Sequence, residues 1–508
     1  MNDMTPTAGR REWVGLGVLA LPTLLVTMDL SVLFLAVPEL SKDLSPSSGE
    51  LLWITDIYGF LIAGSLITMG TLGDRIGRRR LLMIGGFAFA AASLVAALST
   101  SAPMLIAARA ALGVAGATLA PSSLSLIRSL FLDERQRTVA IGVWMSCFAA
   151  GAAVGPLVGG AMLEQFWWGS VFLLNVPVMA LMLVLAPRVL PESRDPSPGR
   201  FDLIGAGLSV VALLAAVYGV KRVAEHGLDG TAALFILAGL AVGVVFVRRT
   251  AVADDPLIDL RLFRAPAIRI SIAAMVLATF VMAGMLLFVA QYLQLVRGMG
   301  PLEAGVWSVP AMVGSIAGSM LAPVVAARLR PGLVLAGSMG VAAAGLGLMV
   351  LVSESALALL VAGSLVMGLG AGAIGTVATD VIVGTAPPER AGAASGISET
   401  GAELGGALGI ALLGSIGTAV YRAELEGALR PGLPDQAASA ARDTLGGAVG
   451  EADSLPAPVL EAAADAFVQG LQLAALTGAV LMAATAAVAA LVLRRHGARS
   501  GDAATCRA

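Results

Sequence analysis

The stretch Gly70-Thr71-Leu72-Gly73-Asp74-Arg75-Ile76-Gly77-Arg78-Arg79-Arg80 joins two apolar runs, residues 51–70 and 81–100. Each run has the ~20 residues that an α-helix needs to cross a bilayer. Arginines crowded into one short connection mark it as cytoplasmic, because Lys and Arg accumulate on that side. The glycines allow a tight turn and a close approach of helices. Asp74 can pair with an arginine or with a helix N-terminus while the inner face is closed. A plain charge anchor would explain the arginines. It does not explain two glycines bracketing Asp74 and Arg75.

Outward from this loop, apolar runs of similar length recur to both ends of the chain. Of the 508 residues, 57% are hydrophobic and 13% charged, against roughly 25% charged in soluble domains. The runs lack the alternation of a barrel strand, so the expected fold class is an all-α polytopic membrane protein. Fourteen spans are read, at about 14–38, 51–70, 81–100, 104–127, 138–163, 170–187, 203–220, 231–247, 270–293, 304–327, 333–352, 356–379, 391–420 and 466–493. The first is too long for a cleavable signal peptide.

Composition also excludes chemistry. Cys147 and Cys506 offer neither a disulfide framework nor metal spacing. His226 and His496 lie in a loop and a tail. The chain has no Gly-x-x-x-x-Gly-Lys-[Ser/Thr] phosphate loop. No enzyme activity, cofactor, metal or nucleic-acid partner is expected, and the chain is expected to work as a monomer.

Of the 32 Lys and Arg residues, twenty-four fall in the segments on one side of the spans, seven on the other, and Arg109 within a span. That bias predicts a cell-membrane protein with both termini in the cytoplasm.

A repeat runs through the chain. Gly142, Gly151, Gly155 and Gly160 recur 254 residues later as Gly396, Gly405, Gly409 and Gly414. Leu112-Gly-Val-Ala-Gly116-Ala117 is echoed by Gly368-Leu-Gly-Ala-Gly372-Ala373 at nearly the same offset. The expected organisation is a six-helix half at 1–190, a linker carrying spans 7 and 8 at 191–269, a second half at 270–493, and a tail at 494–508. Duplicated halves around a central site suit alternating access. An Ala-rich outer segment, 421–465, is expected to form one or two short amphipathic helices, which either cap the outer mouth or stand in solvent.

Within the spans, the charges are few. Span 1 contains Leu24-Leu25-Val26-Thr27-Met28-Asp29-Leu30-Ser31-Val32-Leu33-Phe34. An ionised carboxylate at the bilayer centre costs at least ~2.5–3.5 kcal/mol, so Asp29 is expected to point into a cavity between the halves. Ser398-Glu399-Thr400-Gly401-Ala402-Glu403 sets two acids four apart, on one helix face. Their counterparts in the repeat are Met145 and Ala149, so only the second half carries them. A substrate or proton site is one reading, a packing or capping role the other. Asp380 is a weaker candidate, near the inner end of its span. A buried carboxylate resists ionisation, so a proton and a lipophilic cation compete for it, which is a sufficient antiport scheme. The rest of such a pocket is expected to be apolar, with Met28, Phe34, Tyr58, Trp144, Met145, Phe288 and Tyr292 as candidates.

On these residues the chain resembles the major facilitator superfamily, with the loop Gly70-x-x-x-Asp74-Arg75-x-Gly77-Arg78-Arg79 as its signature. The resemblance implies a major facilitator fold and a latch for the inward face. Arg109-x-x-x-Gly113-x-x-Gly116 ahead of Pro121 is similar to the family's second motif, whose arginine is linked to proton coupling. A structural salt bridge is the other reading of Arg109, although no partner lies nearby in sequence. Gly151-x-x-x-Gly155-Pro156-x-x-Gly159-Gly160 is similar to the antiporter motif, which implies export rather than uptake. Small residues at this spacing also pack helices closely without further purpose.

Met28 to Leu40, and Trp53-Ile54-Thr55-Asp56-Ile57-Tyr58, look like the fourteen-helix drug:proton antiporters, nearest to exporters of quaternary ammonium compounds and cationic dyes. That resemblance implies Asp29, Asp56, Tyr58, Arg109, Glu399 and Glu403 as substrate or proton residues. It also implies lipophilic cations, protons and the lipid bilayer as partners. The alternative is a dedicated exporter of a natural product or lipid, with drugs as incidental cargo. The chain departs from the pattern at Trp168-Gly169, where Trp-Arg is common. It departs again at Ala322, where a second latch would carry an acid.

Overall fold

The structure, a computed structural model, describes residues 8–46, 48–194, 202–226, 229–252, 265–353, 356–387, 391–426 and 434–505. Some side chains within its helices, including those of Phe34, Asp56, Pro156, His226 and His496, lie outside the described set. The described residues form helices and no strand.

The first block comprises α1 (Arg10–Leu44), α2 (Ser48–Ile76), α3 (Arg78–Ala97), α4 (Ala102–Leu130), α5 (Glu134–Gln165), α6 (Ser170–Leu173) and α7 (Asn175–Val189). Between the blocks lie α8 (Leu203–His226) and α9 (Gly230–Val252). The second block comprises α10 (Pro266–Gln291), α11 (Pro301–Ala326), α12 (Pro331–Val350), α13 (Leu357–Thr385), α14 (Ala391–Leu425), α15 (Asp435–Asp443), α16 (Leu445–Gly450) and α17 (Ala457–Thr505). Thirteen helical stretches of the described residues are long and apolar enough to cross a membrane, with α6 and α7 together making one. The fourteenth, α8, has a shorter apolar stretch, Ile204–Val220.

Helix starts follow local chemistry. Asp133 accepts the Gln136 N–H at 2.9 Å and begins α5. Asp202 accepts the Gly205 N–H at 2.9 Å and begins α8. Asp229 accepts the Ala232 N–H at 2.6 Å and begins α9. Each satisfies a backbone donor that lacks an intrahelical acceptor.

Two hydrophobic clusters form the interior. One is built from residues between Leu16 and Leu190, the other from residues between Ala274 and Met482. Glycines set the helix contacts in each. Gly151 backs onto the Leu24 carbonyl and Thr27 of α1, and Gly159 onto Val32. In the second block Gly405 backs onto Val276 and Thr279 of α10, and Gly409 onto Phe280. A pair of contacts crosses between the blocks in the same related fashion. Gly142 of α5 meets the Ser319 carbonyl of α11, and Gly396 of α14 meets the Leu66 carbonyl of α2. The 254-residue offset therefore relates whole packing arrangements as well as letters.

The described residues of segment 421–465, those up to 426 and from 434 on, fold onto their own block. Tyr421 donates to the Ala441 carbonyl at 2.7 Å, and Ala437, Ala441, Leu445 and Ala448 join the second cluster. Helix α8 lies against both α2 and α14. Leu214 and Val210 cover Gly64, and Ile67, Ala206 and Phe246 form a small shared cluster with Ile397 packed against it.

Candidate functional site

Asp29 of α1 is 6% exposed. Its Oδ2 accepts from Arg109 of α4 at 3.3 Å, and its Oδ1 accepts from the Asn175 amide at 3.2 Å. The same amide nitrogen donates to Ser93 Oγ of α3 at 3.1 Å. Asn175 begins α7 immediately after the break at Leu174. The Arg109 guanidinium lies 5.1 Å from the centre of the Tyr58 ring, a cation–π arrangement. The Tyr58 hydroxyl donates to the Val26 carbonyl at 3.2 Å. Asp29, Tyr58, Ser93, Arg109 and Asn175 are thus one buried polar network inside the first block. This corrects one expectation: Asp29 packs within its own half instead of projecting into a cavity. Arg109 pairs with a carboxylate 80 residues away in sequence, as its salt-bridge reading allows.

The acids of α14 are placed differently. Gly392, Gly396, Glu399 and Glu403 are spaced i, i+4, i+7 and i+11, so they form one stripe. That stripe faces α2: Gly392 meets the Gly70 carbonyl and Gly396 meets Leu66 and Ile67. Glu399 is 8% exposed, and its Oε1 has no hydrogen-bond partner among the described residues. Glu403, one turn further, is exposed. It bears electrostatically on Tyr58, which also feels Asp29 and Arg109. Tyr58 itself packs inside the first block, on Phe89 at 6.5 Å and beside Gly113 of α4. A Cβ added at Gly59, beside it on α2, would meet open space. The seam is shut at Gly70–Gly392, and at its other end Glu403 is exposed.

The shut end is held by charge. Asp74 accepts the N–H groups of Gly392 and Ala393 at 3.3 and 3.2 Å, and it pairs with the buried Arg78. Those amides open α14, where donors lack helical partners and the dipole favours an anion. Arg128 of α4 donates to the carbonyls of Val383 and Ala386, and to Gly384 at 3.1 Å, at the end of α13. A cation suits that terminus for the opposite reason. Arg137 and Thr138 of α5 donate to Asp380 at 2.8 and 2.7 Å. The first block thus grips α13 and α14 at three points. Gly77 has φ +107°, a value open to glycine, and turns the chain from α2 into α3. Arg75 closes the last turn of α2, half-buried.

Of the other expected site residues, Gly151 and Gly159 line the α1–α5 contact, Gly155 is buried, and Pro156 lies within α5. The side chains of Asp56 and Phe34 are outside the described residues. Met28 joins the first cluster. Trp144 meets Phe148 edge to face at 4.9 Å, and Met145 reaches Gly375 across the blocks. Phe288 and Tyr292, expected in the pocket, are buried in the second cluster. Phe288 packs on Phe467 at 5.9 Å, and Tyr292 donates to the Ser353 carbonyl at 2.7 Å, both inside the second block. Asn175, Ser93, Arg128 and Thr138 were missed. An amide inside an apolar span is the one available signal for Asn175.

The profile of the Major Facilitator Superfamily matches residues 19–410. The chain is 43% identical over 496 residues to the multidrug efflux pump LfrA of Mycolicibacterium smegmatis, covering 97% of each chain. It is 37% identical over 464 residues to the methyl viologen resistance protein SmvA of Salmonella typhimurium, covering 90% of this chain and 93% of that one. Its fold is similar to that of the human organic anion transporter MFSD10, with TM-score 0.62 at 16% identity over 93% of this chain and 99% of that one. The chain is a multi-pass membrane protein with the major facilitator fold and belongs to the Major Facilitator Superfamily, a family of transporters rather than enzymes.

Proposed function

We propose that this transporter is a proton-coupled exporter of lipophilic, mainly cationic compounds, working by alternating access as a monomer in the cell membrane. Residues 1–190 and 270–493 are the two moving halves, and the latched end, with both termini, is cytoplasmic. The uneven spread of Lys and Arg supports that orientation. The names of the relatives, an efflux pump and a resistance protein, support export of drug-like cargo.

The observation that carries the reading is Glu399. It is a buried carboxylate on the seam between halves, with a bare oxygen among the described residues. An isolated buried anion is expensive. A proton or a lipophilic cation can each neutralise it, and one excludes the other. With the latch shut, protons arriving along Glu403 reach Glu399 from the open side and release the cation there. With the latch open, a cation from the inside displaces the proton. Asp29, already matched to Arg109 and Asn175, is not the cation site in this scheme. Its network, which includes Tyr58, lies in the first half next to the seam and stays charged through the cycle.

The test is counterflow in proteoliposomes. An imposed pH gradient should drive uptake of a monovalent cationic dye against its own gradient, and dye should drive protons the other way. Dye movement indifferent to the pH gradient would overturn the proposal.

A further inference from the structure

Helices α8 and α9 leave a groove of about 560 Å³ against α2, bounded by Ile67, Leu213, Ala216, Gly239, Val244 and Arg248. We infer that it holds one acyl chain of an anionic phospholipid of the latch-side leaflet, with the headgroup phosphate at Arg248.

Position comes first. The start of α8 lies beside the latch end of α2, since Ala206 packs with Ile67 and Ser209 approaches Thr68 at 3.5 Å. Arg249 donates to both oxygens of Asp202 at 2.9 to 3.2 Å. This charged pair marks the membrane boundary there, so Arg248 sits at headgroup depth. Arg249 is committed to Asp202, while Arg248 is exposed at the groove's end.

Length comes second. From Arg248 to Gly239 the helix rises about 14 Å, close to the ~15 Å of hydrocarbon in one leaflet. A helix from a second copy would instead pack along the full ~30 Å. Polarity comes third. The one hydroxyl in the lining, Ser209, is turned back onto the Ala206 carbonyl at 2.9 Å, so the walls ask only for apolar contact. The groove's volume is within the usual range for bound small molecules.

The experiment is native mass spectrometry of the full chain in mild detergent with phosphatidylglycerol as the probe. Wild type should retain one phosphatidylglycerol per chain in preference to phosphatidylcholine. Arg248→Gln should weaken retention about fivefold, the contribution of one interfacial arginine, and Arg248→Lys should keep most of it. Gly243→Leu places a side chain in the groove, where a Cβ meets only Ala212 at 4.0 Å. It should displace the lipid with the charge intact. Val244→Trp does the same from an exposed position, should Gly243→Leu fail to fold. Equal retention by Arg248→Gln, or by both groove-filling variants, would overturn the inference. So would a dimer that the groove-filling variants dissolve.

Discussion

The Asp29 carboxylate and the Arg109 guanidinium lie 3.3 Å apart on α1 and α4, with side chains 3% and 0% exposed. Removing one partner leaves an uncompensated charge in the interior, which typically costs about 3–5 kcal/mol. Asp29→Asn and Arg109→Gln should therefore each lower the melting temperature strongly. The double variant should be markedly more stable than the sum of the two losses. A double-mutant cycle in detergent checks this, and additive losses would dissolve the pair.

The Asp74 contact with α14 predicts a conformational effect. Asp74→Ala leaves the Gly392 and Ala393 amides without their acceptor, a loss of about 1–3 kcal/mol. The latch-shut state should become less populated by roughly 5- to 150-fold. Gly392→Ala should act alike, since its added Cβ meets the Gly70 carbonyl and Arg78. Spin labels at Arg80 and Arg328, both exposed, would report a longer distance in either variant.

Arg137 and Asp380 allow a rescue test. They meet at 2.8 Å between α5 and α13, with side chains 15% and 12% exposed. Asp380→Arg alone should open the same end. Combined with Arg137→Asp, it should restore the wild-type label distance. Failure of the swap, with both proteins folded, would mean that Arg128 and Asp74 hold the latch without this pair.

At the start of α8, the hydrogen bond from Arg249 holds the Asp202 carboxyl below its ordinary value of 3.8, helped by the Gly205 N–H. A carboxyl whose folded value is depressed contributes stability above its unfolded value and loses it as pH falls through the folded one. The α8–α9 pair should keep this contribution at neutral pH and lose it below about pH 4. Asp202→Asn should flatten the acid limb of a melting-temperature profile. An unchanged limb would remove Asp202 as its source.

These relationships were unevenly legible in the sequence. Apolar run length placed the spans, and the glycine offset anticipated that α5 on α1 and α14 on α10 pack alike, because close helix contact demands small residues at fixed spacing. The stripe of Gly392, Gly396, Glu399 and Glu403 was likewise open to a reader counting fours and sevens. What faced it was not, since α2 lies more than 300 residues away. The partner of Arg109 was hidden for the same reason: the partner of a buried charge is chosen by helix packing, and Asp29 and Asn175 are 80 residues before and 66 residues after it in the chain. Phe288 and Tyr292 misled because an aromatic residue in a span looks the same whether it lines a cavity or packs on α17. Helix α8, expected as a span, is one continuous helix, Leu203–His226, whose described apolar stretch is Ile204–Val220.

The central claim is that Glu399 carries the exchanged proton, and drug-dependent proton release tests it most directly. Purified protein in weakly buffered detergent, mixed with a monovalent lipophilic cation, should release a proton that a pH dye records. Glu399→Gln should abolish the release while leaving the fold intact, Glu403→Gln should reduce it, and the Asp29→Asn/Arg109→Gln double variant should keep it. Release from Glu399→Gln equal to that of wild type would contradict the account.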